Sequence, residues 1–348
     1  MSRRRQIRFD YFLSDADFRF AAQCERMRVD RNGSILSLLI IRLPRERAAA
    51  PDIEFLGRVL EGRLRITDTP GMLRNGDVAV LLPDTNAEGA WKVAEDVSEV
   101  YPPGPERPEC EVFSYPGRRR RRHAETEEDA AVVSGEDAEL DPGEFFFARP
   151  MPLWKRCVDV AGSLAGLAVA APVIGAAAAA VKLTSPGPAF FLQEREGLGG
   201  KRFKIYKLRT MSVDAEHRKR ELRASSEQDG PAFKMRRDPR TTRFGRFLRW
   251  SSIDELPQLL NVLRGDMSLV GPRPLPTDES QACQGWQRRR LDVTPGMTCT
   301  WQVTGRGKVR FDDWVRMDLR YADRRSLWHD LKLVLATVPS LIVQRGMR

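Results

Sequence analysis

The sequence predicts an α/β N-terminal domain, then a mainly helical C-terminal domain with a re-entrant membrane helix hairpin and a small β-hairpin. Three observations lead to this prediction. Apolar runs with helical and strand-like spacing alternate over residues 1–116. An uncharged stretch of 22 residues, 160–181, follows a highly charged one. Beyond it, a glycine-containing turn separates two short strand-like runs. A length of 348 residues also favours more than one domain.

The first domain is expected to end near residue 116. Helical spacing and continuous apolar runs distinguish its helices from its strands. The turn signal Asn75-Gly76-Asp77 marks the start of the second strand. Helices are predicted over 12–29 and 87–97, and strands over 35–43 and 78–82.

The segment 117–150 has a different composition. Five consecutive arginines, 118–122, precede a stretch rich in Glu and Asp. Such a charge block has too little apolar surface to form a core. The sequence therefore predicts a disordered linker here.

The formal charge of +10 is unevenly divided along the chain. Residues 151–348 carry 35 basic and 20 acidic residues, a net charge of +15, and residues 1–150 carry −5. A basic half suits a phosphate-rich partner such as a nucleotide, anionic lipid or nucleic acid. A nucleic-acid-binding protein is the least favoured of these, because the long apolar run has no role there and no recognition motif is present. No nucleic-acid partner is expected.

Residues 151–184 are predicted to enter a membrane. The uncharged run meets the length of about 20 residues that a membrane helix needs, and Lys155 and Arg156 flank it. Lys and Arg occur on both sides, so the positive-inside rule selects no orientation. Pro172 lies mid-run, where it removes a backbone hydrogen bond. A helix–break–helix that returns to the cytoplasmic face of the inner membrane is therefore favoured over a crossing. A buried Ala-rich helix of a soluble core is the alternative.

The adjacent acids Asp254 and Glu255 have two interpretations. In one, Ser252 and Glu255 form a capping box, or Asp254 is an N-cap with Pro257 in the first turn. In the other, one carboxylate attacks phosphorus while the other holds a divalent cation. Basic residues before and after the pair could balance phosphate charge. Those basic residues are Lys207, Arg209, Arg249 and Arg273.

Residues 185–348 form the proposed catalytic domain, and strings throughout 151–348 resemble the bacterial monotopic phosphoglycosyl transferases in family order. These initiating sugar transferases begin exopolysaccharide and glycan assembly. The matching strings are Lys155-Arg156 with Asp159, residues 190–195, 203–211, 252–262 and 265–274, Thr294-Pro295-Gly296, residues 301–306, Asp318, Tyr321, Ser326 and Asp330. So many elements in order favour the catalytic interpretation of Asp254 and Glu255 over the capping box.

The resemblance implies a ping-pong transfer of a sugar 1-phosphate from a UDP-sugar to polyprenyl (undecaprenyl) phosphate. Asp254 would attack the β-phosphate, release UMP and form a phosphosugar–aspartate. Glu255 would hold Mg²⁺, and Arg273 would bind phosphate or the nucleotide. The intact Asp254, Glu255 and Arg273 argue against the alternative of an inactive membrane scaffold.

The remaining site residues follow from the same resemblance. Gln302 and Arg306 would shape the nucleotide pocket, and Lys207, Arg209 and Arg249 would contribute to substrate binding. Lys155, Arg156 and Asp159 would fix the entrance of the membrane helix, with Pro172 at its break.

Residues 10–100 resemble a degenerate GGDEF-type domain, which implies a palm-like fold. Val78 and Ala79 stand where the family hairpin has Glu and Phe, and Arg42 replaces a metal-binding Asp. Because a cation cannot ligate Mg²⁺, cyclase activity is not expected. The resemblance implies a regulatory or dimerising domain, and leaves a homodimer open.

Overall fold

A computed structural model describes residues 11–44, 50–101, 107–116, 146–235, 237–304 and 309–345. The chain divides into two compact units, Met1–Phe147 and Ala148–Arg348. The five consecutive arginines and the acidic stretch after them lie outside the described residues. Both units combine helices and strands, in agreement with the mixed α/β prediction.

The first unit is a four-stranded antiparallel sheet with helices. Its elements are α1 (Asp15–Asn32), β1 (Leu36–Arg42), α2 (Ala50–Glu61), β2 (Thr69–Met72), β3 (Val78–Pro83), α3 (Ala87–Glu99) and β4 (Glu109–Tyr115). The strand order is β2-β3-β1-β4. The two helices and two strands predicted from spacing are confirmed. The sequence prediction missed α2, β2 and β4.

Both faces of this sheet are buried. Leu38 and Ile40 of β1 contribute to one apolar cluster, while Leu39 and Ile41 contribute to another. Successive side chains of a strand point to opposite faces, so a continuous apolar run fits a central strand covered on both sides. This explains why β1 has no polar alternation.

Arg42, at the end of β1, is surrounded by acids. Its guanidinium donates to both carboxylate oxygens of Glu111, at 3.1 and 3.0 Å. Asp77 lies 3.5 Å away and Glu109 lies 3.9 Å away. The position predicted to have lost a metal ligand is therefore occupied by an ion-pair cluster.

Residues 146–150 differ from the predicted disordered linker. Phe146 and Phe147 are buried in the first unit's core, and Phe146 packs edge-on against Phe18. Arg19 donates to the Phe146 carbonyl at 2.8 Å, and the Arg26 guanidinium lies 4.3 Å from the Phe147 ring centroid. Aromatic burial and cation–π contact order residues that the charge pattern had assigned to the linker.

The long apolar segment forms one helix, α4 (Leu153–Thr184), long and apolar enough to cross a membrane. Only 17% of its most apolar window is buried, unlike the core helix of a soluble protein. Its buried residues form a single stripe from Lys155 to Val181 against the second unit. The helix continues through Pro172, so the predicted hairpin of two helices is not confirmed.

The rest of the second unit begins with the predicted hairpin, whose strands pair antiparallel. Mostly short helices follow, with a second small sheet in which two strands pair in parallel. The elements are β5 (Phe190–Glu196), β6 (Arg202–Leu208), α5 (Ala215–Glu221), α6 (Arg243–Ser251), α7 (Leu259–Arg264), β7 (Ser268–Val270), α8 (Thr277–Gln281), α9 (Gly285–Arg288), β8 (Gly296–Thr298), α10 (Thr300–Thr304), α11 (Phe311–Arg324) and α12 (Leu327–Arg345).

Lys155, Arg156 and Asp159 anchor the start of α4 to this unit. The Lys155 ammonium donates to the Val270 carbonyl at 2.9 Å and to Asp330 at 2.5 Å. Arg156 donates to the Val262 and Leu263 carbonyls at the end of α7, both at 2.7 Å. Asp159 accepts hydrogen bonds from the Ser268 hydroxyl and the Leu269 amide. The helix entrance is thus fixed beside β7.

Candidate active site

Asp254 and Glu255 lie in a 3₁₀ turn, Ile253–Gln258, between α6 and α7. Helical structure over residues 243–264 is not continuous. It is interrupted because Ser252 adopts the left-handed conformation, with φ 60°, and closes α6. Ser252 makes no side-chain cap to the following turn, so the capping-box interpretation is wrong. The interruption gives the two acids a backbone different from that of a regular helix start.

Glu255 is held between two cations. The Lys207 ammonium lies 2.9 Å from Oε1, and the Arg273 guanidinium donates to both carboxylate oxygens. Burial alone would raise the pKa of Glu255, but the charges of Arg273 and Lys207 hold it well below its usual range. Glu255 is therefore a carboxylate at any physiological pH.

Asp254 is only 8% exposed, and among the described residues its carboxylate has no hydrogen-bond partner. Burial and the neighbouring Glu255 charge raise the pKa of Asp254 to about 6, against the opposing charges of Lys207, Arg249 and Arg273. At neutral pH Asp254 is therefore mostly ionised. These are the properties expected of a nucleophile.

Arg195 joins the three predicted cations around the acids, although the sequence prediction did not include it among the site residues. Burial and the charge of Arg273 lower the pKa of Arg195 to about 10, so it remains charged at neutral pH. Arg195, Lys207, Arg249 and Arg273 thus lie within electrostatic range of one or both carboxylates. The hairpin register could have identified Arg195, because residues 195, 203 and 207 share one face.

Two further predicted site residues, Arg249 and Gln302, make hydrogen bonds to other side chains. Arg249 donates to the Thr241 hydroxyl at 3.1 Å, and its charge acts on Asp254. Gln302 accepts from the Cys299 thiol, and Cys299 is within electrostatic range of Arg273.

Arg209 is a predicted site residue that the structure places away from the acids. It is buried, and its guanidinium donates to the carbonyl and hydroxyl of Ser185, at the end of α4. That side chain holds the chain where it leaves α4. Arg306 lies outside the described residues.

The site fits the magnesium ion that the resemblance implies. Mg²⁺ is commonly held by one or two carboxylates together with substrate phosphates and water. Asp254 and Glu255 supply two neighbouring carboxylates, and no third acid, His or Cys joins them within the described ranges. A protein cage for the ion is absent there, so phosphate oxygens would have to complete its coordination.

The bacterial sugar transferase profile matches residues 151–344, more than half of the chain. The chain belongs to the bacterial sugar transferase family. The matched range contains α4, both acids and the four cations, so the candidate active site lies within the residues that match the family.

Two relatives illustrate the similarity of this sugar transferase to known proteins. It is 48% identical over 213 residues to the UDP-glucose:undecaprenyl-phosphate glucose-1-phosphate transferase of Caulobacter vibrioides, covering 58% of this chain and 75% of that one. It is 41% identical over 195 residues to the galactosyl transferase CpsE of Streptococcus agalactiae, covering 56% of this chain and 43% of CpsE. The chain thus spans less than half of CpsE.

A solved structure of a DGC protein from Thermotoga maritima covers 30% of this chain and 82% of its own, at 16% identity and a TM-score of 0.26. A score this low supports neither a fold nor a function. The GGDEF-type resemblance of the sugar transferase's first unit therefore stays a prediction.

Proposed function

We propose that this sugar transferase moves a sugar 1-phosphate from a UDP-sugar to undecaprenyl phosphate and releases UMP, as the first membrane step of exopolysaccharide or glycan assembly. The asymmetry between two adjacent carboxylates carries the proposal. Glu255 is held by two cations, whereas Asp254 has no hydrogen-bond partner among the described residues. The Caulobacter relative, named as a UDP-glucose:undecaprenyl-phosphate glucose-1-phosphate transferase, supports the same chemistry.

The first step is attack by the Asp254 carboxylate on the sugar-bearing β-phosphorus. A new oxygen–phosphorus bond forms while the bond to the bridging oxygen breaks, and UMP leaves with that electron pair. Lys207, Arg249 and Arg273 lie where they can balance charge on the phosphoryl oxygens.

In the second step, an oxygen of undecaprenyl phosphate attacks the same phosphorus. The aspartyl oxygen–phosphorus bond breaks, which regenerates the Asp254 carboxylate and leaves a diphosphate-linked sugar on the lipid. A covalent intermediate divides one difficult displacement into two easier ones. It also allows UMP to depart before the lipid phosphate enters.

Glu255 would hold Mg²⁺ together with oxygens of the donor diphosphate. When bound, the ion supplies positive charge that offsets the diphosphate charge. Glu255 also orients Lys207 and Arg273, because both cations share its Oε1 oxygen. Its depressed pKa keeps it available to cations throughout the working pH range.

We also propose that α4 is re-entrant and that both units lie on the cytoplasmic face of the inner membrane. Support comes from the buried stripe of α4, since Lys155 near its start and Val181 near its end both pack on the second unit. Leu164 and Val169 are exposed and available to lipid. Single cysteines at Leu153 and Leu183, in a background without native cysteines, should label from the same side. Labelling from opposite sides would exclude the re-entrant arrangement.

The activity is tested by UMP release from a panel of UDP-sugars, with protein in membranes, Mg²⁺ and undecaprenyl phosphate. We expect release with at least one sugar, and a phosphosugar adduct on Asp254 when the lipid is omitted. No release across the panel from folded protein would contradict the proposal and favour a scaffold role. Release without an adduct would leave the transfer but exclude the covalent route.

A further inference from the structure

The loop that carries Arg273 is held in place almost entirely through its carbonyl groups. Its sequence, Gly271-Pro272-Arg273-Pro274-Leu275-Pro276, contains three prolines, which lack an N–H donor. Backbone donors are therefore scarce in this loop, although the Gly271 amide donates to the Thr298 carbonyl at 3.0 Å. The carbonyl oxygens of the loop accept most of the backbone hydrogen bonds that position it.

Four successive carbonyls of the loop, from Pro272 to Leu275, accept hydrogen bonds. Two of the donors are backbone amides and two are arginine side chains. The acceptors and donors are Pro272 from the Gly296 amide at 2.9 Å, Arg273 from the Arg290 guanidinium at 2.5 Å, Pro274 from the Arg195 guanidinium at 2.7 Å, and Leu275 from the Glu196 amide at 3.4 Å. The main chain on both sides of the Arg273 side chain is thus fixed.

The hydrogen bond from the Gly296 amide to the Pro272 carbonyl depends on two facing glycines, Gly271 and Gly296. A Cβ on Gly296 would lie 2.0 Å from the Gly271 nitrogen, and a Cβ on Gly271 would lie 2.5 Å from the Thr294 carbonyl oxygen. Backbone atoms cannot move aside as a flexible side chain can. Only glycine at both positions allows β7 and β8 to approach closely enough for this contact.

Arg290 is the more deeply buried of the two arginine side chains that donate to the loop. It is 3% exposed, and its Nη2 atom also donates to Asp318, which is 1% exposed, at 2.8 Å. A buried ion pair contributes little net stability, because the desolvation of two charges offsets their attraction. Stability therefore does not explain why this pair is buried. The hydrogen bond from Arg290 to the Arg273 carbonyl offers an explanation.

We propose that Arg290, held by Asp318, is a positioning residue that fixes the main chain at Arg273 for donor binding. It acts through Arg273, whose guanidinium must contact Glu255 and the diphosphate together. The Arg290 side chain is 3% exposed, and its Nη2 atom donates to both the loop carbonyl and Asp318, so it is not expected to contact substrate. This inference rests on the function proposed above.

A double substitution tests the proposal without leaving a buried charge unpaired. Arg290→Met with Asp318→Leu replaces the ion pair by apolar groups of similar size, a change that cores often tolerate. We expect kcat/KM for the UDP-sugar to fall between about 10- and 100-fold, mainly through KM, because Arg273 is no longer fixed. A purely structural role would lower the folded fraction and kcat but leave KM unchanged.

Arg316→Gln with Asp313→Asn is the matched control, because it removes an exposed ion pair from the same helix, α11. We expect wild-type KM for this variant. The Arg290/Asp318 substitution should also have no further effect on KM in an Arg273→Lys background, since both changes act on one group.

A folded Arg290→Met/Asp318→Leu variant with wild-type KM would overturn the proposal, as would additive effects with Arg273→Lys. If the double variant does not fold, Arg290→Lys gives the same test, because it keeps a cation beside Asp318 but lacks the guanidinium fork. A raised KM supports positioning, and an unchanged KM overturns it. Absence of UMP release from the wild type would instead contradict the proposed function itself.

Discussion

Arginines and acids meet in both units, but their arrangement differs. In the first unit, Arg42 is 41% exposed in its side chain and faces Asp77, Glu109 and Glu111. In the second, Asp254 is buried beside Glu255, and Lys207, Arg249 and Arg273 act on Asp254. The Arg42 guanidinium is paired with Glu111 and outnumbered by acids, so the first cluster offers no positive charge to an anionic ligand. The second cluster combines several cations with a buried carboxylate that has no hydrogen-bond partner among the described residues, and we expect the chemistry there.

The largest expected effect is that of Asp254→Asn. We expect UMP release to fall by at least about a thousandfold, because the amide cannot attack phosphorus. Folding should not suffer, since the raised pKa of Asp254 means that its ionised form destabilises the fold at neutral pH. Kinetics and a thermal melt would check both statements. Residual activity near the wild-type level would remove the distinction between the two clusters.

Glu255→Gln should reduce activity about a hundredfold and, unlike Asp254→Asn, also reduce stability. The substitution leaves Lys207 and Arg273 partly buried without their carboxylate, and we expect a loss of about 2 kcal/mol in the free energy of unfolding. Chemical denaturation of the two variants side by side measures the contrast. Equal stability of the two would mean that Glu255 is not the structural member of the pair.

The pH dependence of kcat/KM should distinguish Asp254 from Glu255. Because Asp254 must be ionised and its pKa is raised to about 6, kcat/KM should fall about tenfold per pH unit below 6. Glu255 has a depressed pKa and contributes no limb in this range. A profile flat from pH 7 to pH 4.5 would contradict the raised pKa of Asp254. Thermal melts across the same range would separate ionisation from acid unfolding.

The smallest effect is expected from Arg42→Gln in the first unit. Exposed ion pairs contribute about 0–1 kcal/mol, so the free energy of unfolding should change by no more than that. UMP release should remain at the wild-type rate. A loss of activity comparable with that of Glu255→Gln would show that the Arg42 cluster has a functional role, and that exposure is a poor guide in this molecule.

Much of the fold could be predicted from local patterns. Strand β1 and the β5–β6 hairpin follow from apolar runs and turn glycines, and α4 follows from its uncharged length. The interruption at Ser252 could not be predicted, because a serine with positive φ carries no compositional signal. Strand β4 was missed because its apolar run is short and begins with an acid at Glu109.

The acids of the site were identified from their setting in a long series of family strings, since their local spacing also fitted a helix cap. Arg209 was grouped with Lys207 by proximity in sequence, but it lies just past the end of β6, and its guanidinium holds Ser185. Arg195 is distant in sequence from the acids and comes near them only when the hairpin folds, so its place follows from the hairpin register and not from sequence proximity.

The facing glycines Gly271 and Gly296 provide a criterion for judging whether a related gene encodes an active enzyme. A sequence can retain the Asp–Glu pair and still carry alanine at either glycine. Its first added carbon would meet backbone atoms at 2.0–2.5 Å, and the loop that carries Arg273 would be displaced. Such a gene is expected to encode a pseudoenzyme, even though both acids are intact.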